Sequence, residues 1–556
     1  MPDIHTHSAP EDERDVTYDF LLCNRCGTCR SVCPVYQVVR EEWASARGKV
    51  ELAEEFFRSG IVDERKIREI FEVCLHCKTC EEACPSGMRA DEIILAVMAE
   101  TARRGLIPRL KRLALKALGR MDNALFKVMR AVGLSRKSPL HGIGAKSPLG
   151  FLFPLLGWPR ERSVPLPSSR PFLERGPEIY RAEDVEAAFP PPEDIASGRM
   201  AFGRPLDTDR AADIVRRLTA ARRRNLEEKR AAYFFVGHTV NHFFPEEAEA
   251  VVGVMNLLGI DVLAPKDQLC CGAPHYYSGD IEGARESAVE VLERFKGHRF
   301  DWIVTSCASG GLTLKETYPR LLDITADGYF EIAWDPESEV FYRKSGVGRT
   351  EDRRAHAASI YREQVEGKVL DINELLAEQL GYHDDSVGLG DVLGNNTWEA
   401  PAGIATGNGK EEAPVSGDGS PLPVVTYHQP CHLNRGQAVS WQPEALLTEL
   451  PGYRYVRMQD ADRCCGGGGA FTFTNSEVSA AVAQEKMDAV EAVLPDVLAT
   501  SCPVCRIQLM DMCRRRFVLE AREQGKEKRE IPVMTPVELM LDDLKALAGA
   551  RRDGPV

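Results

Sequence analysis

Eight cysteines in two matching runs are the first residues here whose spacing dictates chemistry. Cys23, Cys26, Cys29 and Cys33, followed by Pro34, recur as Cys74, Cys77, Cys80 and Cys84, followed by Pro85. Three thiolates spaced in this way wrap three corners of one 4Fe-4S cube, while the fourth lies too far round and reaches a second cube. The spacing therefore predicts one cluster on Cys23, Cys26, Cys29 and Cys84, and another on Cys74, Cys77, Cys80 and Cys33. Each closing proline turns the chain away from the cluster and removes a backbone donor. A pair of zinc sites is the alternative, but zinc asks for four ligands in a closed tetrahedron and has no use for the duplicated pattern. The chemistry is electron transfer.

A second set of cysteines lies in the C-terminal half, in two copies of one frame. In the later copy Cys431 follows an apolar run, VVTYH, and 32 residues separate it from the pair Cys464-Cys465. A further 36 residues separate that pair from Cys502-Pro-Val-Cys505. The earlier copy has His238, then after 31 residues Cys270-Cys271, then after 35 residues Cys307. Gly310 stands where the last cysteine would be. A vicinal pair does not easily place both sulfurs on one tetrahedral ion, but it can bridge two irons. Five thiolates exceed the four a cube needs, which points to an unusual cluster or an exchangeable ligand. Cys502 and Cys505 taken alone would read as a redox or zinc pair. In the earlier copy His238 either completes a site with Cys270, Cys271 and Cys307, as histidine does in Rieske centres, or only packs at a strand end. His242 and His275 lie nearby but off the motif, and Cys513 fits no pattern and reads as an inert buried thiol.

Each ligand group must be positioned by a short strand. AYFFVG, WIVTS, YRYVRM and DVLAT precede ligands, helical stretches such as 476–494 lie between, and KVLDINELL at 368–376 parallels IPVMTPVELM at 531–540. Ligands at the C-terminal ends of strands in an α/β layer converge on one crevice. The two copies are expected to be tandem α/β domains related by a pseudo-twofold. The glycines 466–469 let backbone approach the site and supply N–H donors to sulfur.

The frame C-x31–39-CC-x35–36-CxxC resembles that of the CCG (cysteine-rich) domain. Two such domains behind a double ferredoxin resemble the iron–sulfur subunit of glycolate oxidase and the related subunits of lactate utilisation and anaerobic glycerol-3-phosphate dehydrogenase. They are also similar to the catalytic subunit of heterodisulfide reductase. ARGKVELAEEF, CLHCKTCEEACPSG, TYHQPCHLNRGQ and CCGGGG carry the likeness to the glycolate and lactate group. The resemblance runs from about residue 18 to about residue 547, and it is weak on substrate. It implies an α+β multidomain chain, with a helical double 4Fe-4S ferredoxin domain followed by two tandem α/β CCG domains. It implies an oxidoreductase subunit with two 4Fe-4S clusters and a further iron–sulfur centre in the second copy, noncubane if heterodisulfide reductase is the guide. Electrons would come from a flavoprotein dehydrogenase subunit or another donor, and pass to a quinone, a quinone-reactive or membrane subunit, or another acceptor. The alternative is a heterodisulfide-reductase-like catalyst that splits a disulfide at Cys431, Cys464, Cys465, Cys502 and Cys505. A non-enzymatic scaffold with structural clusters is a third reading, disfavoured by so many cysteines.

Composition frames these readings. The 556 residues suggest several domains, and a net charge of −14 argues against nucleic acid as a partner. No G-x-G-x-x-G follows a strand (Gly253 and Gly259 fall in a helix and its cap), so flavin is expected on another polypeptide. The polar opening residues do not read as an export signal, and the apolar stretch at 149–158 is about half a membrane span. The expected location is the cytoplasm, free or peripheral on the inner face of the membrane. Between Arg103 and Lys137 eleven basic residues face one acid, Asp122, with leucines and methionines at helical spacing. This reads as a basic amphipathic helix that docks on an acidic surface or simply exposes a solvated face. The expected order is a ferredoxin domain at 15–102, this helix and a Pro/Gly-rich linker at 103–225, a degenerate first copy at 226–381, a flexible insert at 382–422 and an intact second copy at 423–550.

Overall fold

Two largely parallel sheets of the same strand order organise the chain after the ferredoxin module. In the computed structural model the continuous described stretches are residues 22–59, 63–108, 111–113, 167–197, 200–322, 351–383, 420–469 and 471–549, with short pieces between. The basic run at 103–137 lies outside them from residue 116 onward, as does most of the insert at 382–422. No helix among the described residues is long and apolar enough to cross a membrane.

The ferredoxin module is helical: α1 (Pro34–Val39), α2 (Ala46–Ser59), α3 (Glu64–Glu72) and α4 (Ala90–Arg103). Pro34 sits in the first turn of α1, where its missing N–H costs nothing, and Asp63 caps α3 through the N–H groups of Arg65 and Lys66. The helices bury Phe56, Ile67, Phe71, Ile93, Ile94 and Val97 against one another beside the cluster cysteines. Unlike the others, α4 is buried along nearly its whole length. Such a helix must be covered by other parts of the protein. Arg68 ties the module down, donating to the carbonyls of Met98 at 3.1 Å and Ser278 at 2.9 Å.

The first copy begins with an irregular stretch whose β1 (Ile179–Tyr180) forms a sheet edge and whose Phe172 and Leu173 are buried in the core. It continues through α5 (Thr208–Glu228), β2 (Ala231–Phe234), α6 (His238–Phe243), α7 (Pro245–Leu257) and β3 (Asp261–Leu263). Then come α8 (Ile281–Phe295), β4 (Trp302–Thr305), α9 (Ala308–Leu312), β5 (Val369–Asp371) and α10 (Ile372–Leu380). The strand order is β1-β3-β2-β4-β5, parallel except for β1. Between α9 and β5 an excursion forms a hairpin of 332–335 and 340–343, with Arg14–Asp15 on its edge.

The second copy repeats the design. Its elements are β6 (Ala405–Thr406), β7 (Val424–His428), α11 (Cys431–Gln437), α12 (Trp441–Glu449) and β8 (Arg454–Arg457). They continue with α13 (Ser476–Val493), β9 (Val497–Thr500), α14 (Pro503–Arg514), β10 (Val533–Met534) and α15 (Pro536–Ala548). The order β6-β8-β7-β9-β10 is parallel throughout. Strands covered on both faces must be apolar runs rather than alternating ones, and β9, buried at all four positions, reads so. Matching capping boxes open α10, from Asp371 and Glu374, and α15, from Thr535 and Glu538.

The copies pack reciprocally. Helix α7 of the first lies on α15 of the second, while α12 of the second lies on α10 of the first. One continuous core spans both, from Val251 and Leu375 to Leu447 and Leu544. A buried ion cluster seals the joint. The Arg506 guanidinium lies 2.9 Å from Glu247 Oε2 and 2.9 Å from Glu538 Oε2, over the ring of Phe244 at 4.3 Å.

Candidate functional site

The two ferredoxin loops are conformational repeats of one another. Residues two and four places after the first cysteine take left-handed backbone in both: Arg25 (φ 59°) and Gly27 (φ 82°), then His76 (φ 49°) and Lys78 (φ 59°). Such turns aim successive N–H groups inward, a concavity suited to anionic sulfur. Backbone donors reach the thiols of Cys33 from Tyr36, of Cys74 from His76 and of Cys84 from Met88, each at 3.4 Å.

The fourth cysteine of the first run lies near thiols of both runs, Cys29 of its own among them. Cys33 stands close enough to Cys74, Cys77 and Cys80 for their charges to act on one another. Burial pushes the Cys74 thiol up to about 12. As bare thiols these side chains would stay protonated; a metal that holds them as thiolates removes that conflict. Lys49, 1% exposed, adds a cation beside this group. Its ammonium donates to the carbonyls of Val73 at 3.0 Å, Ala44 at 3.3 Å and Trp43 at 3.4 Å, and its charge acts on Cys74, Cys33 and Cys80.

In the second copy the motif cysteines sit at the C-terminal ends of β7, β8 and β9, on both sides of the point where strand order reverses. The vicinal pair divides its attention. Cys464 contacts Cys431 and, across the domain boundary, Cys77 of the ferredoxin module. Cys465 turns the other way, to Cys505, which in turn meets Cys502. Hydrogen bonds from Cys464 and Cys505 hold the Cys465 thiol well below the usual thiol range. All but Cys431 are buried, and Cys77 and Cys464 share an apolar cluster with Val35, Leu75, Phe471 and Val482.

Gly466 explains the glycine of the motif. Its φ is +77°, and a Cβ there would lie 2.5 Å from the Ser479 carbonyl oxygen in α13. Gly272 of the first copy repeats the left-handed backbone at +86° and presses on α8. The turn after each cysteine pair is thus fixed by a helix that only glycine can touch.

The first copy gathers Cys270, Cys271 and Cys307. Cys307 caps α9, accepting from Gly310 N–H at 3.4 Å, and its charge is felt by, and feels, Cys271 and Cys502. His238 opens α6 with its ring 5.0 Å from that of His242. His275 turns aside to Asp280, with Nδ1 2.8 Å from the carboxylate. Cys513 is 3% exposed, and burial pushes it up to about 12.

Two features escape a reading confined to cysteines. His428, at the end of β7, is fully buried, and one ring nitrogen lies within 4.8 Å of the sulfurs of Cys465 and Cys505. The only hint in the sequence is its place three residues before Cys431. The other is His432, which bridges all three modules. It contacts Ser309 Oγ at 3.0 Å and the His76 carbonyl at 3.0 Å, and stacks on Tyr277 with centroids 5.2 Å apart. Next to this junction opens a cavity of about 620 Å³ whose charged walls include Lys78, Arg89, Glu92, Arg320 and Arg435.

Comparison with known proteins matches this architecture. Residues 19–88 match the 4Fe-4S dicluster domain model, and residues 231–315 and 425–510 both match the cysteine-rich domain, CCG. The chain is 24% identical over 496 residues to the probable glycolate oxidase iron–sulfur subunit of Bacillus subtilis, covering 88% of each protein. It is 23% identical over 537 residues to the glycolate oxidase iron–sulfur subunit of Escherichia coli, covering 94% of this chain and 98% of that one. Over 277 residues it is 24% identical to a lactate utilization protein of Bacillus cereus, covering 49% of this chain and 87% of that one. The chain therefore contains one 4Fe-4S dicluster domain and two cysteine-rich CCG domains, and is similar over most of its length to iron–sulfur subunits.

Proposed function

We propose that this chain is the iron–sulfur electron-transfer subunit of a 2-hydroxyacid oxidoreductase of the glycolate or lactate type. It accepts electrons from a flavoprotein partner and delivers them to a quinone or another acceptor. The contact of Cys77 with Cys464 carries the reading, because it joins the second ferredoxin thiol set to the intact copy with no intervening residue. Bound iron–sulfur clusters supply the one-electron carriers. Soft thiolates with backbone N–H donors directed at sulfur suit such groups. Cys23, Cys26, Cys29 and Cys84 would hold one 4Fe-4S cluster and Cys74, Cys77, Cys80 and Cys33 the other. Cys431, Cys464, Cys465, Cys502 and Cys505 would hold a third centre. Cys270, Cys271 and Cys307 offer only a partial set. Burial lowers the Lys49 pKa and the neighbouring thiolates oppose that; held as an ammonium, Lys49 would favour the reduced form of the second cluster. The disulfide-splitting alternative is weakened by the first copy, where His238 and Gly310 replace two thiols.

The test is anaerobic isolation of the chain with its native partner. A flavin-bearing polypeptide should accompany it, and glycolate or lactate should bleach the iron–sulfur absorption. Cys464→Ser should abolish turnover while both ferredoxin clusters remain reducible by the substrate. Full turnover in that variant, or a complex without flavin, would sink the reading.

A further inference from the structure

We propose that His428 is a nitrogen ligand of the metal centre in the second copy, bound alongside Cys465 and Cys505. The inference rests on the reading that this copy holds an iron–sulfur centre, and it adds a donor that the five-cysteine frame does not contain. One ring nitrogen of His428 and the two sulfurs lie within 4.8 Å of one another, and all three side chains are buried. Ligands at ~2.0–2.3 Å around one tetrahedral ion stand about 3.5 Å apart, so closing onto a shared metal asks for little movement.

The burial of the ring supports the same role. His428 is 0% exposed, and neither nitrogen makes a hydrogen bond of ordinary geometry. The Ala461 carbonyl lies nearby, but it already accepts from Gln429 N–H at 3.0 Å and Lys486 Nζ at 3.1 Å. A buried polar group left without a partner is destabilising, and a bond to metal would remove that cost.

The repeat provides an independent argument. Three residues before His238, the position that corresponds to His428 is Phe235, 1% exposed. The copy with five thiols thus has an imidazole at this strand end, and the copy with three has a phenyl ring. A ring of similar size packs here in either case. Only the intact copy makes it a donor. Nitrogen ligation raises the potential of an iron–sulfur centre relative to an all-thiolate one.

The test uses the full chain, isolated anaerobically with clusters intact, from cells fed 14N- or 15N-histidine. Pulsed electron paramagnetic resonance is read on the signal that Cys465→Ser removes, which assigns it to the second copy. A coupling typical of metal-bound imidazole, changing with the isotope, is expected in the wild type. His428→Phe, which installs the residue already accommodated at position 235, should lose that coupling and shift the centre to lower potential, with both ferredoxin signals unchanged. Should the Cys465-dependent signal be present without histidine nitrogen coupling, or His428→Phe leave spectrum and potential unaltered, the proposal is overturned and the reading of a second-copy centre survives. If no signal depends on Cys465 and iron content equals that of the two cubes alone, both fall together.

Discussion

Arg506→Met is the perturbation whose size follows most directly from the structure. The guanidinium satisfies Glu247 and Glu538 at 2.9 Å each and donates to the Val533 carbonyl at 2.9 Å. Glu538 keeps other partners when Arg506 is gone, since the Thr535 N–H and hydroxyl donate to it at 2.8 and 2.9 Å. Glu247, 0% exposed, keeps far less. Removing one member of a buried pair in this way costs about 3–5 kcal/mol, whereas replacing the pair by apolar side chains is often neutral. The loss should fall on α7 and α15, which meet across the joint. Hydrogen exchange resolved to peptides reads it locally, and a multidomain chain gives no single unfolding free energy. At pH 8 amides of Pro245–Leu257 should exchange roughly a hundred to several thousand times faster, at 1.36 kcal/mol per tenfold. The acceleration should shrink at pH 5.5, where the stranded carboxyl takes up a proton; burial already pushes Glu247 up to about 7 in the wild type. Adding Glu247→Met should return most of the protection. A double variant that exchanges as fast as the single one would refute the reasoning.

Three further outcomes are expected. Cys33→Ala should abolish the paramagnetic signal of the Cys74, Cys77 and Cys80 cluster and spare that of Cys23, Cys26 and Cys29, because the ligand crosses between runs; loss of the other signal would reverse the assignment. Gly466→Ala should strip iron from the second copy, since its Cβ would lie 2.5 Å from the Ser479 carbonyl oxygen. Gly469→Ala, with φ +57° and no atom within 4 Å of the new Cβ, should retain iron and cost only the ~1–2 kcal/mol of left-handed backbone. Burial pushes Glu92 up to about 7 from an ordinary 4.5, so its folded form binds more protons than its unfolded form across that window. Its contribution is complete below pH 4.5 and is lost as pH rises towards 7, by about 3 kcal/mol at most. Exchange from α4 should therefore quicken over this range in the wild type and vary less in Glu92→Gln.

The cysteine spacings made the architecture readable, because a ligand pattern constrains backbone far more tightly than hydrophobic periodicity does. Strand ends and repeat order were legible from them, and the expectation that Cys33 serves the second run remains a proposal. What stayed hidden depends on contacts between segments distant in sequence. Nothing near Cys77 or Cys464 announces that they touch, and the reciprocal seating of α7 on α15 and α12 on α10 has no local signal. The stretch around Phe172 carries so much proline and glycine that it reads as linker, yet its few aromatic and aliphatic side chains are buried in the first copy's core. His428 carries no local signal for a different reason. A histidine on a buried strand is ordinarily a packed residue, and only the sulfurs that folding brings beside it give the ring another meaning.

The contact between Cys77 and Cys464 also bears on how the protein matures. Cys77 is 9% exposed and Cys464 4%, each walled in by the other's module. A preformed cube handed over by a delivery protein has no approach to these thiols once the modules have closed. On the proposed reading, these two thiols would be loaded while the ferredoxin helices are undocked, and closure would then shield them. The surface proposed to pass electrons would then also order assembly, with inorganic cargo first and closure of the modules second.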